Sequence, residues 1–401
     1  MSQAKQIPWW AWTWPCAAWA LLIATMVAGA IGLLAAAAAA VLMATVFAAV
    51  YHAEVVAHRV GEPFGTLVLA VAVTVIEVAL IVSVMVGAPA EKSGLARDTV
   101  FAAVMIVCNG IVGVCLLAGG VRHREQDFHV QGASAALAVL AAVTTLTLIV
   151  PNFTIETPGP ALSTVQLAFA GAVSLVLYGS FVFIQTVRHR DYFLPAGGGS
   201  DDTHAPPPPN AAAAVSAVLL IVALVAIVGL AKVLTPTLES VIAWAGVPKT
   251  VVGIVIALLV LLPEGVAALR AARANRLQTS LNLALGSALA SIGLTIPAVA
   301  VVSITLGFAL DLGLNAKDTI LLALTLLLSV ITLGTGRTTV LQGIVHLVIF
   351  AAFVFFAVLP GQAASCYGGG IIAGVFAPPR PRPSKPGNRA RNPSPSAHPT
   401  R

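Results

Sequence analysis

Long stretches of this sequence contain no Asp, Glu, Lys or Arg, and that absence constrains the fold more than any motif does. Residues 6–53, 99–121, 128–155, 157–187, 277–310 and 338–379 are free of all four. About 20 consecutive apolar residues suffice to cross ~30 Å of hydrocarbon as a helix. The chain is 59% hydrophobic and 9% charged, with a mean hydropathy of +0.97, which soluble globular domains do not reach. The stretches are also too long and too rich in Ala, Leu, Val and Ile for the short alternating strands of an outer-membrane barrel. The expected fold class is an all-α integral membrane protein.

Cutting at charge islands and at Gly/Pro turns predicts about eleven transmembrane helices, near residues 11–29, 33–57, 65–88, 98–120, 133–151, 162–187, 211–232, 249–272, 280–306, 317–334 and 339–359. Gly29 and Gly32 divide the first long run into two spans. Lys5 precedes WWAWTWP, a Trp cluster suited to an interfacial belt, and no small-x-small cleavage site follows, so this end is expected to stay in the mature chain. Cys16, Cys108, Cys115 and Cys366 have no metal-ligand spacing and read as packing residues.

Counting Lys and Arg on alternate sides of eleven spans sets the orientation. One side collects Lys5, Arg59, Arg122, Arg124, Arg188, Arg190, Arg270, Arg273, Arg276 and Arg337; the other collects Lys92, Arg97, Lys232, Lys249 and Lys317. The first side is expected to be cytoplasmic, with the N-terminus on it, in a bacterial inner membrane. An odd span count puts the basic tail outside; either the tail crosses or the count differs by one. The net charge of +6 belongs to loops and tail, so it gives no reason to expect nucleic acid.

The hydrophobic pattern stops near the midpoint at RHRDYFLPAGGGSDDTHAPPPPN. The expected organisation is an N-terminal segment with the first helix (1–32), a five-helix repeat (33–187), a flexible cytoplasmic linker (188–210), a second five-helix repeat (211–359) and a basic, Pro-rich disordered tail (360–401). Related halves with an odd number of spans must insert with opposite orientation, as inverted-repeat transporters do.

Two acids break the apolar runs in matching places. Glu77 interrupts LAVAVTVIEVALIVSVM in the second helix of the first half, and Glu264 interrupts LLVLLPEGVAALRAA in the second helix of the second half. A charged side chain at the bilayer centre costs roughly 3 kcal/mol on insertion scales. Protonation or interhelical hydrogen bonding would explain each acid separately; the matched pair points instead to a cation held between inverted halves. A hard cation such as Ca²⁺ takes oxygen ligands in irregular geometry. Two carboxylates would neutralise it, and candidate lining groups stand nearby in sequence: Thr74 one turn before Glu77, Asn109 in the next helix, and Ser287, Ser291 and Thr295 recurring every four residues on one helix face. Pro263 has no N–H to give the carbonyl of Leu259, which frees a backbone oxygen one turn from Glu264. A carboxylate pair can hold protons or a metal ion but not both well, and that competition with alternating access is sufficient for antiport.

These residues resemble the bacterial ChaA-type cation/proton antiporters of the calcium:cation antiporter superfamily. The stretches that carry the likeness are AHRVGEPFGTLVLAVAVTVIEVALI, LLPEGVAAL, LNLALGSALASIGLTIPAV and TGRTTVLQGIVHLVIFAA, spread over most of residues 50–358. The resemblance implies exchange of Ca²⁺, or of Na⁺ or K⁺, for H⁺, with Glu77 and Glu264 as the repeat acids and Gly286–Ser287 lining the site. The wider calcium/proton exchangers carry a Gly-Asn pair four and three residues before each acid; here those positions are Val73–Thr74 and Val260–Leu261, so the ion is not carried over with the acids.

Other polar residues take structural readings. His52, Glu54 and His58 sit at a helix end, where interfacial hydrogen bonding is favoured over proton relay or metal binding. Glu62 and Asp98 sit by short turns and are expected to cap or to pair with Arg59 and Arg97, and His346 to pair across the bundle. A passive cation channel would use the same acids as a selectivity ring. A membrane enzyme would need a nucleophile with its base or a metal motif, and the sequence has no HExxH, GxSxG or DDxxD. The expectation is a secondary transporter, with inorganic cations, protons and the bilayer as its partners and no cofactor.

Overall fold

The computed structural model describes residues 7–359 apart from 31, 62–63, 88–92, 158, 195–207, 247 and 249. The expected linker lies mostly outside the described residues, as do Glu62, Cys366 and the tail. Within them the chain is almost entirely helical: α1 Trp9–Ala28, α2 Gly32–Val60, α3 Phe64–Gly87, α4 Leu95–His123, α5 Val130–Phe153, α6 Thr164–Arg188, α7 Asn210–Trp244, α8 Thr250–Arg273, α9 Leu277–Leu306, α10 Ala316–Leu333 and α11 Val340–Val358. Among the described residues ten of these are long and apolar enough to cross a membrane, and α3, with its apolar stretch Val71–Met85, is the remaining one of the eleven.

Local chemistry sets the breaks. α1 ends where Gly29 adopts φ 81° and α2 begins at Gly32 with φ 53°, a backbone region that costs glycine nothing. α6 and α11 both start with a capping box: Ser163 and Thr339 pair reciprocally with Gln166 and Gln342 three residues on. α7 departs from expectation. The span expected at 211–232 closes at Lys232, yet the helix runs on through Pro236 to Trp244. Its far end is held by packing against α1 and α2 and by the Thr237 hydroxyl, which donates to the Ala30 carbonyl at 2.7 Å. Tertiary contact thus outweighs the proline.

The packing repeats when the halves are exchanged. α2 lies against α7, its counterpart. α3 packs on α9 as α8 packs on α4, and α4 on α11 as α9 on α6. Glycines permit the closest of these approaches. A Cβ on Gly343 of α11 would fall 2.5 Å from the Leu117 nitrogen and 2.9 Å from the Gly113 oxygen of α4, and one on Gly293 of α9 would fall 2.7 Å from Tyr178 Cβ of α6. Small residues at such crossings let helix backbones meet where no hydrophobic force separates protein from lipid.

Loop contacts sort into two opposite ends of the bundle. At one end the α4–α5 and α10–α11 connections pair as short antiparallel strands, β1 Gln126–Asp127 with β2 Arg337–Thr338. His123 bonds the Arg273 carbonyl, and Gln278 at the start of α9 accepts from the His129 backbone. At the other end of α9, Asp311 bridges to Ala161, the Leu312 and Gly313 amides donate to Pro160, and Ser93 donates to Asp311. The α4–α5 and α9–α10 connections, equivalent in the two halves, therefore lie at opposite ends, which is the inverted relation that five spans per half require. Gly343→Ala is expected to force α4 and α11 apart at a backbone contact and to cost about 1–3 kcal/mol; a lowered unfolding midpoint of the detergent-solubilised protein would register it.

Candidate cation site

α3 and α8 bring the two acids into the interior. Glu77 is 3% exposed, and Ser291 of α9 donates to its Oε1 at 2.7 Å. Thr295, one turn further along α9, lies beside the same carboxylate with its hydroxyl buried and closing no ordinary hydrogen bond. The face predicted from the Ser287, Ser291, Thr295 spacing is thus the face α9 turns to Glu77. Thr74, one turn before Glu77, is buried too.

Glu264 is held differently. The α8 helix passes Pro263 without a break, so the Leu259 carbonyl has no N–H four residues on to receive. The Glu264 Oε2 is buried and has no hydrogen-bond partner, and the charges acting on it are those of Glu54 and Glu77, both acidic. A buried carboxylate oxygen with no donor costs a few kcal/mol unless a proton or cation satisfies it. Among the described residues no group of three or more His, Cys, Asp or Glu gathers as a metal cluster. Any cation held here would complete its shell with hydroxyls, carbonyls and water.

The other expected lining groups are divided. Gly286 leaves open space where a Cβ would stand and borders a small cavity with Gln278, Asn282 and Phe193, while Ser287 is half-buried beside it. Asn109 takes different partners. α4 opens into a π-helical turn at Ile106–Ile111, within which Asn109 donates to Thr325 Oγ1 of α10 at 2.8 Å and faces His346 Nδ1 of α11 at 3.2 Å. His346 pairs across the bundle as expected, its Nε2 lying 2.9 Å from Thr332 Oγ1. Thr325 and Thr332 carried no signal that separates them from ordinary helix threonines. His52 is buried against the Ala11 carbonyl at 3.0 Å, and Arg97 pairs with Asp98 at 2.8 Å. Cys108 and Cys115 are buried in the packing, and Cys16 is exposed.

The chain resembles known proteins over most of its length. A family model described as sodium/calcium exchanger protein matches residues 21–187 and 215–359, the two halves without the linker. This chain belongs to that family. It is 49% identical over 361 residues to the putative ionic transporter y4hA of Sinorhizobium fredii, covering 89% of this chain and 98% of the relative. It is 34% identical over 316 residues to the sodium-potassium/proton antiporter ChaA of Escherichia coli, covering 78% and 85%. The fold is that of native YfkE (TM-score 0.68, 15% identity, 87% of this chain and 99% of that one) and of the H⁺/Ca²⁺ exchanger CAX (TM-score 0.64, 14% identity, 86% and 88%). The family relatives are transporters rather than enzymes, and the chain is a multi-pass membrane protein of the calcium:cation antiporter superfamily. Ser291→Ala removes the donor from a buried carboxylate and is expected to destabilise the protein by about 1–3 kcal/mol, with Ser291→Thr, which keeps the hydroxyl, avoiding most of that loss, as a thermal unfolding series would read.

Proposed function

We propose that the protein is a secondary active antiporter of the bacterial inner membrane that exchanges Ca²⁺, with Na⁺ and K⁺ as further candidate substrates, for H⁺. Glu77 and Glu264 are the groups that bind cation and proton in turn. The observation that carries this reading is the pair of acids on equivalent helices of inverted halves, Glu77 buried and Glu264 half-buried, with the Glu264 Oε2 buried and without a partner while the charges acting on it are acidic. One divalent cation or two protons would neutralise such a pair equally well, so each displaces the other. Ser291 orients Glu77, and Thr295, Thr74 and the Leu259 carbonyl supply further oxygens. Ser287 lines the approach from the Gly286 cavity. The relatives are consistent in chemistry: ChaA carries the name of a sodium-potassium/proton antiporter and CAX that of an H⁺/Ca²⁺ exchanger.

Everted vesicles with a pH-gradient probe test the reading. Adding Ca²⁺, Na⁺ or K⁺ should dissipate the gradient, and the Glu77→Gln, Glu264→Gln double variant should lose at least about 90% of that activity. Full activity in the double variant would sink the proposal, as would cation uptake with no proton movement, which is the behaviour of a channel.

The end that carries β1 and β2 also gathers the 122–124, 270–276 and 337 basic residues, and we assign it to the cytoplasm. Single cysteines placed at Arg124 and at Arg337 should react with an impermeant maleimide in everted vesicles and stay protected in right-side-out ones; the reverse pattern would invert the assignment.

A further inference from the structure

His346 is fully buried in the last helix of the second half, far along the chain from either acid, and the exchange reaction as described leaves it without a role. Its ring nitrogens meet two side chains. Asn109 Nδ2 donates to Thr325 Oγ1, which leaves Asn109 Oδ1 as the atom 3.2 Å from His346 Nδ1, and His346 Nε2 lies 2.9 Å from Thr332 Oγ1, whose hydroxyl donates to the Leu328 carbonyl. Thr325 in turn donates to Met105 Sδ. One imidazole and one amide thereby fasten α4, α10 and α11 together inside the bundle, through side chains that are all buried.

The fastening falls on the π-helical turn of α4. Such a turn carries one residue more than an α-helical turn and persists where the surroundings stabilise it, often at functional sites. Here the Cys108 carbonyl inside the turn is within reach of the same imidazole. Gly110 and Gly113 bring α11 close: a Cβ on Gly110 would touch the Phe350 ring at 3.4 Å, and one on Gly113 would fall 3.1 Å from His346 Cβ. His346 and Phe350, four residues apart on one face of α11, thus seat directly on the turn.

The opposite flank of the same turn meets α8. Ile111, its last residue, rests against Gly265, where an added Cβ would lie 3.2 Å from Ile111 Cδ1. Gly265 is the residue after Glu264. We infer that His346, through Asn109 and the π turn, is a positioning residue that sets where α8 holds Glu264. The inference rests on the reading of Glu264 as a cation ligand. It accounts for an asymmetry between the halves: Glu77 is oriented directly by a side chain of α9, whereas α4 touches the Glu264 segment through Ile111, with its polar side chain Asn109 turned to α10 and α11.

Everted-vesicle assays on His346→Leu, His346→Gln and Ile111→Ala test this. His346→Leu and Ile111→Ala should raise the half-maximal Ca²⁺ concentration about 5- to 10-fold with the maximal rate within about two-fold of wild type. His346→Gln, which keeps an amide donor for Asn109, should stay within about two-fold on both. In parallel, hydrogen exchange on the purified full-length chain should quicken in peptides covering 106–111 and 260–268 of His346→Leu, with the segment around Glu77 unchanged. A fall in maximal rate or in folded yield with the half-maximal concentration unmoved would make His346 merely structural and overturn the inference, as would exchange that quickens only in α10 and α11. A wild type that moves no protons would overturn the antiport reading instead, and the exchange measurement would still decide whether His346 acts on α8.

Discussion

A carboxylate in hydrocarbon has to be neutralised by something, and the arrangement of this bundle follows from having two of them. The cost of placing an ionised acid at mid-bilayer is several times the thermal energy, and both helices that carry one pack among several others. α3 is enclosed by α2, α7 and α9, and α8 by α2, α4 and α9. Among the helices around them α4 is the most completely buried, with α9 next. α1 adds a flank, packing on α2 and α7 where the two halves meet. Its contact with the bundle includes the His52–Ala11 bond, which buries a ring whose position at a helix end suggested an interface with water.

Inversion solves the neutralisation problem economically. Because the second half repeats the first upside down, each acid reaches the interior on a helix that meets the fourth or ninth helix of the other half, and the two carboxylates come within electrostatic reach of each other. The repeated contacts are made by glycine where helices touch most closely and by paired loops at each end. A bundle held this way has its strongest couplings between halves rather than within them. A movement that exposes the acids to one side and then the other must therefore shift α3 against α9 and α8 against α4 together.

Much of this was legible in the residues because hydrocarbon is an unforgiving solvent. The absence of charge marked the spans, Gly29 and Gly32 marked the first break, and Glu77 and Glu264 stood out because nothing else in α3 is ionisable and the other charges of α8, Arg270 and Arg273, lie in its last turn. The hydroxyls four apart on α9 were expected to share one face because a helix has one periodicity, and in the structure Ser291 donates from that helix to Glu77. What stayed hidden depends on contacts between distant segments. The span expected to close at residue 232 runs on through Pro236 to Trp244, and there the Thr237–Ala30 bond ties α7 to the segment between α1 and α2. Asn109 reads as a ligand because its helix neighbours the acids, but a π turn changes which way a residue faces, and no pattern in IVCNGI announces one. Thr325 and Thr332 are invisible for the same reason: a buried threonine bonding its own helix looks the same in sequence as one bonding a histidine.

The two halves therefore differ most where their sequences look alike. Both offer an acid in the second helix and small polar residues in the third, yet α9 spends its hydroxyls on Glu77 while α4 turns its amide away and presents Ile111 to Gly265. One acid is gripped and the other is left with a bare oxygen. A pair built that way distinguishes its members: the oxygen without a donor gains most from a proton or a cation, and the acid already hydrogen-bonded changes least when its partner is filled or emptied. Exchange between two ligands needs a site that is never fully satisfied by the protein alone, and in the antiport we propose that shortfall is concentrated on Glu264.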